Sequence, residues 1–181
     1  MALALESGEA EPLILTIPAE SRVTVDANEE ARIPKGVPHA ATVRSRNGVG
    51  VVVERTIDAA PAARRTGLAE SLGARLSARR WCLASGAADD STDEYVVVQN
   101  PGAEPARVSV TVLADGERVT NEGLQGLEVG AGQRRAVRLA DSVRRAATPV
   151  VVESDRPVVV ERVLNRLRGI GIATSVGIPL R

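Results

Sequence analysis

The residues in this chain with the clearest potential for specific chemistry are two copies of a Glu-Arg pair. Glu54 and Arg55 follow three consecutive valines, and Glu161 and Arg162 follow another three. Adjacent residues of a strand point to opposite faces, so one layer cannot bury both members of a pair. An ion pair with a neighbouring strand is the structural interpretation, and contact with a neighbouring module or polymer is the functional one. We take all four as candidate interaction residues.

A second group with chemical potential is the acidic run at residues 89–94, which holds four carboxylates. Carboxylates this close together can ligate Ca²⁺. The spacing of an EF-hand and its glycine are absent, however. A solvated loop whose Asp and Thr side chains cap local backbone donors is the alternative. The sequence leaves calcium at this run undecided.

Catalytic and cofactor chemistry have little support elsewhere in the chain. His39 is the sole histidine, it follows a Gly-Val-Pro turn, and the chain has no Gly-x-Ser-x-Gly elbow. Cys82 is the sole cysteine, so neither an internal disulfide nor a cysteine-based zinc site can form. The Gly-x-Gly segments at 48–50 and 130–132 lack the third glycine of a dinucleotide site. We predict no catalytic residue, no metal site and no cofactor.

Charge and aromatic content narrow the range of partners. The chain has 23 basic and 23 acidic residues, no Phe, one Tyr and one Trp. Balanced charge and few aromatic side chains argue against nucleic-acid binding. No apolar stretch approaches the roughly 18 residues of a membrane span. Because Trp81 is the one large aromatic side chain available to fill an apolar gap, we expect it to be buried near a junction between modules. An exposed Trp81 would instead indicate a ligand contact.

The elements that must position these residues are strands. The chain has 26 Val, which suit a pleated, half-buried surface. The best helical candidate, 59–77, contains two glycines and a poor apolar stripe. Turn residues predict chain reversals at 100–102, 114–116, 130–132 and 154–157. The predicted strands are 13–17, 49–55, 94–99, 107–113, 135–139, 150–153 and 158–164.

An internal repeat organises these strands. The Val-Val-Val-Glu-Arg of 51–55 returns at 158–162, and two further matches, one upstream and one downstream, occur in the same order. A repeat of roughly 100 residues is the size of an immunoglobulin-like antiparallel β-sandwich. We predict an imperfect tandem repeat, with an incomplete first unit at 10–76 and a complete unit at 77–181. The first unit would borrow strands from 81–124, or two chains would form a homodimer through its strand edges.

The chain resembles an actinobacterial family of uncharacterised exported proteins, the domain-of-unknown-function 5719 family. The resemblance is carried by the strand that begins at Trp81, the strand that runs into Asn100-Pro101-Gly102, and the closing segments 156–162 and 173–179. It covers 81–181 and part of 13–76. It implies an extracellular or cell-surface protein without catalytic residues. The chain departs from the family pattern in having no export signal and few aromatic residues.

These observations together predict a non-enzymatic structural or protein-interaction module of the cell envelope. Its partner would be a protein or an envelope polymer that binds a rigid β-sandwich surface. A carbohydrate-binding module of the envelope is the alternative, although the shortage of aromatic side chains counts against it. An accessory role beside a membrane glycosyltransferase, which the family resemblance implies, is a further alternative. The sequence does not identify the partner.

Overall fold

The computed structural model of the protein describes residues 1–59 and 66–181. Within them the chain is all-β, every strand pair is antiparallel, and no α-helix occurs. Two single 3-10 turns lie at Glu122–Leu124 and Leu139–Asp141. The described residues form the strands β1 (Ala2–Ala4), β2 (Ala40–Thr42), β3 (Glu54–Ala59), β4 (Gly67–Leu72), β5 (Ala78–Leu83), β6 (Thr92–Gln99), β7 (Ala106–Ala114), β8 (Glu117–Val119), β9 (Leu127–Val129), β10 (Arg134–Arg138), β11 (Val150–Arg166), β12 (Ile172–Val176) and β13 (Ile178–Pro179).

The long strand β11 belongs to both layers of a β-sandwich-like body. Its first part pairs with β5 and β7, and its second part pairs with β6 and β12. The register shifts between Glu153 and Val158, where Pro157 removes one backbone donor from the ladder. A strand that changes sheets at such a bulge forms a corner between two packed layers. β7 and β10 extend the two layers, because β7 also pairs with β8 and β9, and β10 pairs with β6.

Alternating valines from both layers fill the core. Val96 and Val98 of β6 face Val110 and Val112 of β7 across the sandwich, and all four side chains are buried. All members of the main apolar cluster lie between Trp81 and Val160. The core therefore belongs to the C-terminal half of the chain, residues 77–181.

The N-terminal half, residues 1–76, forms two separate ribbons, β1–β2 and β3–β4. They contact the β10–β6–β11–β12 layer at the free edge of β10 and on its outer face. The Arg134 amide donates to the Leu5 carbonyl (2.9 Å), and the Gln99 side chain donates to the Thr42 hydroxyl (2.8 Å). β1 lies upstream of residue 10, where the sequence placed the start of the first unit.

Three local predictions were wrong. Residues 13–17 and 49–53 are irregular rather than strands, because no described strand forms a ladder with them. The predicted turn at 154–157 is part of the continuous strand β11. Asp155 accepts the Arg107 amide there, at 2.8 Å, which holds the bulge extended.

The proposed borrowing of strands was also wrong. No described strand of the N-terminal half pairs with a strand from 81–124; its ribbons pair only within themselves. The helical candidate 59–77 contains β4, and its residues 60–65 lie outside the described residues. Across the described residues no helix is long and apolar enough to cross a membrane.

Candidate functional site

Two hairpins of the molecule have matching pairing schemes. In the first hairpin, β3 with β4, Arg55 lies opposite Ser71. In the second hairpin, the second part of β11 with β12, Arg162 lies opposite Ser175. The backbone bonds that follow also match, because Gly73 donates to Val53 (2.8 Å) and Gly177 donates to Val160 (2.9 Å). The two hairpins therefore share register as well as sequence.

The hairpins differ along the edge of β11 that lies opposite β12 and the equivalent edge of β3 that lies opposite β4. β6 pairs with β11 along the edge opposite β12, from Val159 to Arg166. Within the described residues, β3 has no partner beyond β4. Because the Val53 carbonyl faces β4, the backbone groups of Val52 and Glu54 point to the other edge. β3 thus presents an open strand edge.

The valines before each Glu-Arg pair differ accordingly in burial. Val158 and Val160 are fully buried in the core. Their counterparts Val51 and Val53 are 45% and 37% exposed, and Val52 is 87% exposed. The same sequence is core in one hairpin and surface in the other.

Arg162 and Glu94 form an ion pair inside the sandwich. The Arg162 Nε donates to Glu94 Oε1 at 2.6 Å, and both side chains are almost fully buried. A second guanidinium nitrogen, Nη2, donates to the carbonyls of Leu83 (3.2 Å) and Thr148 (3.1 Å). The Thr148 hydroxyl donates to the other Glu94 oxygen. A buried pair with this many partners is a structural element that fixes β6 against β11.

The local backbone is shaped around the Glu94 carboxylate. Gly86 adopts a φ of +149°, and a side chain there would collide with Glu94. Burial raises the pKa of Glu94 above its usual value, although the Thr148 hydroxyl and the Arg162 guanidinium oppose the shift. The pair therefore lies in a tight, water-poor site.

Arg55, the counterpart of Arg162, has a different partner. Its Nη2 donates to Glu161 on the outer face of β11. The Arg55 Nε is buried and has no hydrogen-bond partner in the structure, whereas the Arg162 Nε has Glu94. At Nε, therefore, the Arg55 guanidinium lacks a carboxylate partner, whereas the Arg162 guanidinium has Glu94.

Two further charged residues complete this charged junction of Glu6, Arg55, Arg134 and Glu161. Arg134 is 6% exposed, and its Nη1 lies 3.2 Å from Glu6 Oε1. Burial lowers the pKa of Arg134, the carboxylates of Glu6 and Glu161 raise it, and Arg55 lowers it. The junction joins the N-terminal half to the outer face of the sandwich. A depression of about 230 Å³ opens beside Arg134 and is lined also by Glu6 and Gln133.

The structure separates the candidates that the sequence grouped. Arg55 and Glu161 meet at the charged junction, Arg162 lies in the core, and Glu54 is exposed on β3. Trp81 is 1% exposed, and its indole nitrogen donates to the carbonyls of Ala78 (3.1 Å) and Val158 (2.9 Å). Trp81 therefore belongs to the core of the C-terminal half rather than to a binding surface.

The carboxylates of the acidic run at 89–94 have different partners and do not form one cluster. Asp89 accepts hydrogen bonds from the Ser91 hydroxyl and from the amides of Ser91 and Thr92, at 2.7–2.9 Å. These bonds lower the pKa of Asp89. Asp93 pairs with Arg138 at 2.7 Å, and Glu94 points into the core. Within the described residues, no three potential ligands are grouped for a metal ion. His39 directly precedes β2, with Nδ1 3.3 Å from the Val37 carbonyl.

Sequence reasoning missed Glu94, Thr148 and Arg134 as partners of the repeated arginines. Glu94 lies in an acidic run that looks solvated, and Thr148 lies in a loop. One signal was available for Glu94, because it begins the apolar stretch of β6 and a carboxylate there requires a buried cation. The sequence shows no equivalent signal for Arg134.

Comparison with known proteins gives fold-level similarity and a family. The crystal structure of Thermotoga maritima 1070 matches with a TM-score of 0.50 and 20% identity, over 57% of this chain and 96% of that chain. The Anabaena sensory rhodopsin transducer matches with a TM-score of 0.42 and 24% identity, over 50% of this chain and 99% of that chain. None of the curated proteins is significantly similar to the chain.

The family match covers the first hairpin and most of β11, but not β12. It runs from residue 23 to residue 164, and so includes β3, β4 and nearly all of β11. The matching model is described as a family of unknown function, DUF5719, and the chain belongs to this family.

Proposed function

We propose that the protein is a non-enzymatic protein-interaction module of the cell envelope, in which a rigid sandwich carries an interaction surface formed by the N-terminal half. In this proposal the chain is an imperfect tandem repeat of immunoglobulin-like units, and the N-terminal half is the incomplete unit. The observation that carries the proposal is the contrast between the valines at 51–53, which are exposed, and those at 158–160, of which Val158 and Val160 are fully buried.

The surface of the N-terminal half supports this proposal. Ile14, Val49 and Val52 are each more than 60% exposed, and Leu68 and Leu72 of β4 are 63% exposed. Apolar side chains concentrated in one region are typical of interaction sites. The open edge of β3 adds unpaired backbone groups, which favour pairing with another chain. The exposed apolar side chains and the open edge together offer a surface on which a partner protein could bind.

Carbohydrate binding is less well supported than protein binding. Sugar sites commonly use an exposed aromatic face, and the one Trp of the chain is buried with its indole nitrogen bonded to two carbonyls. The exposed apolar residues of the N-terminal half are aliphatic, which favours a protein partner. A glycan array on the full chain separates these two functions.

Site-specific photo-cross-linking in the producing cells tests the proposal. A benzophenone side chain at Val52 is expected to give a discrete cross-linked product. The same group at Glu117, an exposed residue of β8 in the C-terminal half, is the matched control and is expected to give none. Equal labelling from both positions, or none from Val52, would contradict the proposed function.

A further inference from the structure

We propose that the open edge of β3 accepts an antiparallel strand of the β6 type from another unit of this family, and that this strand brings a carboxylate to Nε of Arg55. The inference rests on the proposed function and names its partner. The second hairpin has the corresponding partner in place.

The open edge of β3 has a geometric counterpart on β11. β11 and β3 pair with β12 and β4 in the same register, so their opposite edges are equivalent. On β11 that edge pairs with β6, with Arg162 opposite Val96 and Leu164 opposite Glu94. A strand added to β3 in this register places its valine opposite Arg55 and its glutamate opposite Ile57. Backbone hydrogen bonds supply affinity in such strand addition, and the alternating side chains supply specificity.

Arg55 and Arg162 differ in the acceptor at Nε. Glu94 lies on β6, diagonally opposite Arg162 on the adjacent strand β11, and it accepts a hydrogen bond from the Arg162 Nε at 2.6 Å. In the first hairpin, Arg55 uses Nη2 for Glu161, and its buried Nε has no partner. A buried guanidinium donor without an acceptor is unfavourable, so a carboxylate at this position is favourable. The carboxylate that Arg55 Nε lacks would therefore lie where Glu94 lies relative to Arg162 in the β6 pairing.

The valines that precede the two Glu-Arg pairs differ in burial. Val160, which lies in the ladder of β6 with β11, is fully buried, whereas its counterpart Val53 is 37% exposed. A strand rich in valine, such as residues 95–99, extends this surface when it adds to β3. The proposed occupant is therefore an extended, valine-rich strand with one glutamate, and not an acidic loop or a helix.

A labelled peptide tests this inference on the full chain. The probe is residues 91–100 with a fluorophore at its N-terminus, and binding is followed by fluorescence anisotropy. The peptide is expected to bind, and its Glu94→Gln form is expected to bind about tenfold more weakly, because a charge-assisted hydrogen bond is lost. Equal affinity of the two peptides would overturn the assignment of the carboxylate.

Two chain variants locate the binding site. Val52→Pro removes an amide from the open edge but leaves the Val53 carbonyl bonded to Gly73, so the peptide is expected to lose binding. Val23→Pro, at an exposed irregular position, is the control and is expected to bind normally. Melting of each variant verifies folding. Binding that survives Val52→Pro would overturn the strand-addition proposal.

Arg55→Lys tests the role of Nε separately. Lysine keeps a positive charge for Glu161 but has no Nε donor. The difference in affinity between the unmodified peptide and its Glu94→Gln form is therefore expected to fall from about tenfold to near unity in this variant. A difference that persists would show that the peptide glutamate binds elsewhere. Cross-linking at Val52 without any peptide binding would reject this partner and leave the proposed function intact.

Discussion

The two hairpins of this protein share the Val-Val-Val-Glu-Arg sequence and the same register, and they differ in what surrounds them. Around the second hairpin, β5, β6 and β7 bury its valines and place Glu94 against Arg162. Around the first hairpin, only β4 pairs with β3 within the described residues. The comparison shows that burial and ion pairing are set here by the neighbouring strands rather than by the hairpin sequence. Substitutions at equivalent positions should therefore have unequal effects.

The largest effect is expected from Trp81→Ala in the core around the second hairpin. The substitution removes the largest buried side chain and leaves the carbonyls of Ala78 and Val158 without their indole donor. We expect the free energy of unfolding to fall by about 5 kcal/mol, at the upper end for a buried aromatic residue. Urea denaturation followed by circular dichroism measures it. A loss below about 1 kcal/mol would contradict the assignment of Trp81 to the core.

The next effect compares the two arginines. Arg162→Met leaves Glu94 buried without a cation, and we expect a loss of about 3 kcal/mol. The loss is at the lower end for a broken buried pair, because Glu94, whose pKa is already raised, can take up a proton. Arg55→Met breaks a pair whose arginine side chain is 39% exposed, and should cost less than about 1 kcal/mol. Equal losses would show that the two hairpins have similar environments.

A smaller contrast is expected between two valines. Val160→Ala removes two methyl groups from a filled core and should cost about 2 kcal/mol. Val53→Ala at the equivalent, 37% exposed position should change stability by less than about 0.5 kcal/mol. Both variants keep the backbone bond to the facing glycine, so the difference reports side-chain burial alone. If Val53→Ala were the more destabilising, the exposed face of β3 would have to be covered in solution.

The sequence predicted the all-β class because valine alternation and turn residues are local signals. The reversal at 114–116 is confirmed, with Asp115 and Gly116 both at positive φ, as a tight hairpin requires. The continuity of β11 could not be predicted, because Ser154-Asp155-Arg156-Pro157 favours a turn locally and is held extended by the strands on either side.

The candidate site was predicted only in part, for a related reason. The repeated Glu-Arg pairs identified Arg55 and Glu161, but not that these two residues, one from each copy, would pair with each other. That pairing depends on how the N-terminal half lies on the sandwich. The partner of Arg162 was equally hidden, because Glu94 is distant in sequence and becomes its neighbour only when β6 pairs with β11.

The smallest expected effect contrasts one carboxylate from each half by its response to pH. Hydrogen bonds from Arg32 lower the pKa of Glu30, in the N-terminal half, from 4.5 to about 2. Burial raises the pKa of Glu94, in the C-terminal half, above 4.5. The contribution of Glu30 to stability is present above pH 4.5 and is lost as the pH falls towards 2. The contribution of Glu94 has the opposite sign: it is present below pH 4.5 and is lost as the pH rises through the raised pKa.

Carboxyl-carbon NMR titration measures both midpoints in one sample. We expect the Glu30 signal to titrate below 4.5 and the Glu94 signal above it. Glu94→Gln should remove the part of the stability change that lies above pH 4.5, while Glu30→Gln should leave that part unchanged. A Glu94 midpoint below 4.5 would mean that Arg162 and Thr148 outweigh burial. The second hairpin would then hold its carboxylate as a fully ionised partner, and a strand added to the first hairpin would be expected to do the same at Arg55.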